Sequence, residues 1–176
     1  MEKWIAIVSA IAAWIAALEA FRSSRMSRKA YALALQQEAR LQPSLSLHLV
    51  EGEVRRLGVG APRIYVFRVV VSNGSDASNS IREANLLVEH GRGHVPSNLI
   101  APHRVELMER LTGLDYEPLN LPREIAARSS LGGLVLFEVP ADLLRGSQVE
   151  AYTLQIVDTY GHRTSVEALF LQERAQ

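Results

Sequence analysis

The sequence predicts a mainly β protein carried by one N-terminal helix. Residues 1–42 read as a single transmembrane α-helix continuing into a helical stalk, and residues 43–176 as an antiparallel β-sandwich. Three observations predict this. Trp4 to Phe21 is an apolar run whose polar side chains are Ser9 and Glu19 alone. Arg22 to Arg40 contains neither Pro nor Gly. Beyond Pro43 the apolar residues recur at every second position, the signature of half-buried strands.

The apolar run comes first. Residues 4–21, as helix at about 1.5 Å each, reach roughly 27 Å, close to the hydrocarbon thickness of a bilayer. Trp4, Ile11, Trp14 and Leu18 mark the span. Four cations follow: Arg22, Arg25, Arg28 and Lys29. Positive charge flanking a span stays on the cytoplasmic side and attracts anionic lipid headgroups. The expected placement is the inner membrane, with the lipid bilayer as partner and the C-terminal domain in the cytoplasm. A cleaved signal peptide ending near Leu18-Glu19-Ala20 and a buried soluble helix are the alternatives. Ser9, Ala13 and Ala17 recur at every fourth position, and small residues on one face let two helices pack closely. That stripe reads either as alanine-rich composition or as self-association into a homo-oligomer.

The stalk follows from composition. Ala, Leu, Gln, Glu and Arg dominate residues 22–40 and favour helix, and Pro43 ends it. Met26, Ala30, Leu33 and Gln37 give a coiled-coil spacing, but over too few heptads to specify pairing.

The strands come next. Leu45, Leu47 and Leu49 alternate with Ser46, His48 and Val50. Ile64 to Ser72 is apolar on both faces, with Tyr65, Phe67, Val69 and Val71 on one, so it reads as central to a sheet. Asn73-Gly74-Ser75-Asp76 supplies a turn. Ile81 to His90 carries Ala84, Leu86 and Val88 inward, and Gly91-Arg92-Gly93 breaks it. Val105 to Leu111 reads as a short helix or a strand. Leu119 to Ile125 is placed at an edge by Pro122. Leu134 to Val139 ends at Pro140, and Ala141 to Leu144 reads as one helical turn crossing between sheets. Val149 to Asp158 and Arg163 to Leu171 close the chain as a hairpin. The strand order resembles an immunoglobulin-like or fibronectin-like accessory domain, through the Asn73–Asp76 turn, the Phe137–Pro140 strand end and the hairpin after Asp158. An antiparallel β-barrel is the alternative.

Charge and composition exclude several chemistries. The chain has no cysteine, so disulfides, thiolate metal sites and cysteine nucleophiles are ruled out. Residues 1–42 carry a net charge of +3 and residues 43–176 a net charge of −3. A mildly acidic domain makes nucleic acid a poor candidate partner.

Four arginines are the candidate ligand residues: Arg55, Arg56, Arg63 and Arg68. Arg68 lies within the most apolar strand, where an unpaired charge is costly, and the other three border it. Together they would recognise a phosphate or carboxylate. His90, His94 and His103 with Glu89 could ligate zinc, but a Gly-rich loop imposes no geometry on them. Asp158, His162 and Ser165 could form a triad, but no nucleophile elbow is present. Asn73-Gly74-Ser75 is formally a glycosylation acceptor. No enzymatic activity, catalytic residue, cofactor or metal is expected. The leading expectation is a membrane-anchored module that binds or scaffolds an unknown protein or a small anionic ligand. The second is a ligand-gated effector, with a nucleotide signal among its candidate ligands, that oligomerises through its membrane helix, an arrangement that resembles the layout of bacterial defence effectors.

Overall fold

The computed structural model describes Trp14 and residues 19–35, 37, 44–58, 60–92, 95–144, 146–169 and 171–175. The chain divides into two units, Met1–Gln42 and Pro43–Gln176. In the first, Trp14, residues 19–35 and Gln37 are helical, as their composition favours. Arg22, Arg25, Arg28 and Lys29 are exposed, and the Arg25 guanidinium lies 4.9 Å from the Phe21 ring centroid. Among the described residues no helix is long and apolar enough to cross a membrane. Trp14 is 72% exposed. Residues 4–13 and 15–18 of the expected span, with Trp4, Ile11 and Leu18, lie outside the described residues, and so do Ser9, Ala13 and Ala17.

The second unit is built from β1 (Leu45–Arg56), β2 (Arg63–Asn73), β3 (Asn79–Arg92), β4 (Val95–Pro102), β5 (Arg123–Ile125), β6 (Ser130–Val139), β7 (Gln148–Asp158), β8 (Arg163–Glu167) and β9 (Gln172–Ala175). They form two sheets. One has the order β6-β2-β1-β9; the other has β4-β3-β7-β8, with β5 also paired to β3. Among the described strands neither path closes on itself, which corrects the barrel alternative. The sheets are not wholly antiparallel either, because β9 runs parallel to β1. The expected final strand is really two: β8 ends at Glu167, and the chain then changes sheets to form β9.

One apolar core lies between the sheets. Tyr65, Phe67, Val69 and Val71 of β2 meet Ala84, Leu86 and Val88 of β3, and Leu154 and Ile156 of β7. Each large side chain buried here contributes roughly 1.5–3 kcal/mol of transfer free energy. All three inward rows follow the alternation of the sequence. In β1 a bulge interrupts it: the register shifts between Leu49 and Glu51. Leu45, Leu47 and Leu49 face the core before the bulge, and Val54 faces it afterwards. The extra residue therefore turns Glu51, Glu53 and Arg55 to the outer face.

That outer face is covered. Between β4 and β5 a twenty-residue connection, residues 103–122, crosses it and contains one 3-10 helix, Val105–Arg110. Leu107 and Leu111 pack on Ile64 and Val66 of β2 and on Leu134 and Leu136 of β6. His103 stitches the connection down. Leu136 N–H donates to its Nδ1 (3.0 Å), and its Nε2 lies 2.7 Å from the Leu119 carbonyl. That network places the ring proton on Nε2. Glu138 holds the 3-10 segment from the sheet through Arg110 (2.8 Å) and Arg104 (3.5 Å).

Strand β4 leaves one edge open, and its prolines guard it. His103 N–H points to Ala84 of β3, while Arg104 N–H points the other way, to Leu136. Residues of Arg104's parity, Pro96, Asn98, Ile100 and Pro102, thus turn their backbone away from β3, toward β6 at the Arg104 end. Two of these four positions have no N–H to offer.

Candidate functional site

The four candidate arginines do not form one site. Arg55 and Arg56 are neighbours on β1, and neighbours on a strand point to opposite faces. Arg63 and Arg68 are five residues apart on β2, again of opposite parity. The structure pairs Arg55 with Arg68 on the outer face, and Arg56 with Arg63 at the end of the inner face.

The outer cleft has a volume of about 210 Å³ and lies under residues 113–116. Arg68 donates to the Tyr116 hydroxyl (2.6 Å), and its guanidinium carbon lies 4.3 Å from the Tyr116 ring centroid. Glu51 is the cross-strand neighbour of Arg68. One row further, Arg55 pairs with Glu53 at 2.6 Å and donates to the Thr112 carbonyl. Both side chains of that pair are buried. Glu51, Glu53 and Asp115 all line this cleft against two guanidiniums. The excess of carboxylate makes it a poor seat for an anion.

The end cleft differs in charge. Arg56 and Arg63 are direct register partners on the inner face. Like charges opposed across a strand pair repel. Among the described residues Glu173 of β9 is the one carboxylate lining this cleft, and it forms an ion pair with Arg56 in which both side chains are more than half exposed. Deeper in, Tyr65 and Tyr152 meet, with hydroxyls 3.3 Å and ring centroids 5.3 Å apart. Burial pushes the Tyr65 phenol well above its usual range; the Tyr152 hydroxyl adds to this and Arg63 opposes it. Val54, Ala168, Leu169 and Leu171 complete the walls of a cavity of about 340 Å³.

Of the other candidates, His103, Asp158 and Asn73 have structural roles. His90 and His103 both lie along the β3–β4 ladder, but the registers put them about six residues apart, roughly 20 Å along the sheet. Both ring nitrogens of His103 already face backbone atoms, and His94 lies outside the described residues. Among the described residues no cluster of three His, Asp or Glu is placed to hold a metal.

Asp158 organises the β7–β8 turn. It accepts from the backbone N–H groups of Tyr160 (2.9 Å) and His162 (2.8 Å) and from the Asn79 amide (3.0 Å). It also lies 3.2 Å from His162 Nδ1. Burial alone would raise its carboxyl, but the hydrogen bonds from Asn79, His162 and Tyr160 outweigh burial and hold it below its ordinary value. Ser165 lies on β8, paired with Gln155. Asn73 is 2% exposed and its amide donates to the Ala77 (2.8 Å) and Ile125 (3.1 Å) carbonyls. A side chain so enclosed cannot serve as a glycosylation acceptor in the folded chain.

Sequence reasoning missed Tyr65, Tyr152 and Glu173 as neighbours of the arginines. The signal for Tyr65 and Tyr152 was a hydroxyl on an otherwise apolar inward row, which usually seeks a partner. For Glu173 no signal existed, because β9 was not foreseen.

No known family matches the chain, and no curated protein is detectably similar to it. Among solved structures, a crystal structure assigned to an ApaA protein from Bordetella pertussis overlaps 71% of this chain and 88% of its own, at 8% identity and a TM-score of 0.33. An overlap that loose carries no functional argument.

Proposed function

We propose that the protein is a membrane-anchored binding module, not an enzyme, with an immunoglobulin-like sandwich that receives a small anion between Arg56 and Arg63. One observation carries this reading: two guanidiniums opposed in register at the mouth between the sheets, with Glu173 alone among the described carboxylates lining the cleft against them. An exposed ion pair such as Arg56–Glu173 is worth at most about 1 kcal/mol, so a ligand carboxylate or phosphate can take the place of Glu173. The hydrophobic run at residues 4–18 would hold the domain at the inner leaflet, and the helix beyond it would space it away.

Two measurements test the reading. A ligand that binds the folded state raises its melting temperature by mass action. Thermal melts of the chain with a panel of carboxylates and phosphates should show a rise that Arg63→Gln removes; no rise with any of them would sink the anion site. Fractionation tests the anchor: the full chain should resist alkaline extraction from membranes, and recovery in the soluble lysate would remove that half of the proposal.

The stripe of Ser9, Ala13 and Ala17 favours a second reading, in which ligand occupancy gates self-association of the helices. Crosslinking with and without nucleotides separates the two, because a pure binding module keeps one oligomeric state.

A further inference from the structure

The walls of the end cleft have two unlike halves. Arg56, Arg63 and Glu173 supply charge at its mouth. Val54 and Ala168 are buried, Leu171 is half-buried, and the phenol rings of Tyr65 and Tyr152 lie beside them. Leu169 is 73% exposed and stands among the same lining residues. An apolar side chain that open, beside the half-buried Leu171 and Tyr152, gains most from a ligand that covers it.

A compact anion would satisfy the guanidiniums and leave the rest of the 340 Å³ unused. That volume falls at the small end of known ligand pockets, which suits a short chain better than a long one. We infer that the end cleft takes a monomeric amphiphilic anion: one carboxylate or phosphate on a short apolar chain. The head lies between Arg56 and Arg63 and displaces Glu173. The chain lies along Leu169, Leu171 and the Tyr152 ring, with the buried Tyr65 ring behind it. This rests on the anion reading above and adds the apolar half of the ligand.

The test is calorimetric titration of the full-length chain with sodium octanoate, sodium acetate and inorganic phosphate. Octanoate should bind at least about tenfold more tightly than either compact anion, since several methylenes leave water. Arg63→Gln should weaken octanoate about tenfold or more, the usual cost of a charge-assisted hydrogen bond. Leu169→Ser alters an exposed side chain and should leave folding intact; it should weaken octanoate several-fold and leave phosphate unchanged. Equal affinity for octanoate and acetate, both lost in Arg63→Gln, would overturn the amphiphile while keeping the anion site. Octanoate binding that survives Arg63→Gln would overturn the proposed pose. Absence of binding by all three would overturn the inference and the anion reading together.

Discussion

Leu119 packs directly over the bare backbone of Gly133. A methyl group placed on Gly133 would come within 2.6 Å of Leu119 Cδ2 and 3.2 Å of the Glu117 carbonyl. The same two segments exchange backbone hydrogen bonds, Leu119 N–H to Leu134 O (2.8 Å) and Leu134 N–H to Glu117 O (3.0 Å). Gly133→Ala must therefore push the 103–122 connection off the edge of β6. We expect a loss of about 1–3 kcal/mol, the usual cost of overpacking, measured by urea unfolding. Proteolytic cleavage within residues 111–118 should accelerate in the same variant.

The buried pair on the outer face behaves differently from a surface ion pair. Arg55→Met leaves the Glu53 carboxylate enclosed without its guanidinium. The expected cost is about 3–5 kcal/mol. The double variant Glu53→Gln/Arg55→Met removes both charges and should be more stable than Arg55→Met alone. Chemical denaturation of the three chains checks the order; a double variant less stable than the single one would contradict it.

Asp158 gives the fold an acid-sensitive element. Its carboxyl is held below its unfolded value by the turn, so its contribution is full above the unfolded carboxylate range. The contribution is lost as pH falls through the lower, folded value. Asp158→Asn should destabilise the domain at neutral pH by about 1–3 kcal/mol, through the weakened hydrogen bonds to Tyr160 and His162. The gap between wild type and variant should close on acidification. Melting curves from neutral to acid pH read this directly, and a gap that widens in acid would contradict the assignment.

His103 carries a spectroscopic prediction. With Leu136 N–H donating to Nδ1 and Nε2 facing the Leu119 carbonyl, nitrogen NMR of labelled histidine should show the proton on Nε2. His103→Ala should cost about 1–3 kcal/mol, because Leu136 N–H loses an acceptor in a partly buried setting. A ring with its proton on Nδ1 would contradict the network.

The readable part of the sequence was the part with uninterrupted periodicity. Tyr65, Phe67, Val69 and Val71 alternate without a break, and all four are fully buried. The even residues of the same strand, Ile64 and Val66, were also apolar, and that second row is covered by Leu107 and Leu111. The candidate site was less readable. Arginine spacing along a strand determines only which face each residue takes, and only while no bulge intervenes. The bulge after Leu49 reverses the faces of everything beyond it in β1. No local composition marks Val50 as the extra residue. Strand β4 escaped notice because Pro96 and Pro102 argue against a strand unless the edge is known. Strand β9 escaped notice because its four residues earn their conformation from a parallel partner more than a hundred residues earlier.

The two imide positions on β4 matter most where many copies share a surface. Tethering to a bilayer, as proposed, would confine the domains to two dimensions and raise their encounter rate. Sheets with continuous free borders would then zip together into ribbons. Among the described residues of β4, Asn98 and Ile100 keep a donor on that border and Pro96 and Pro102 have none, too few for a lasting ladder. Crowding alone should therefore not join the domains through the β4 border, and clustering there must be driven from elsewhere in the chain.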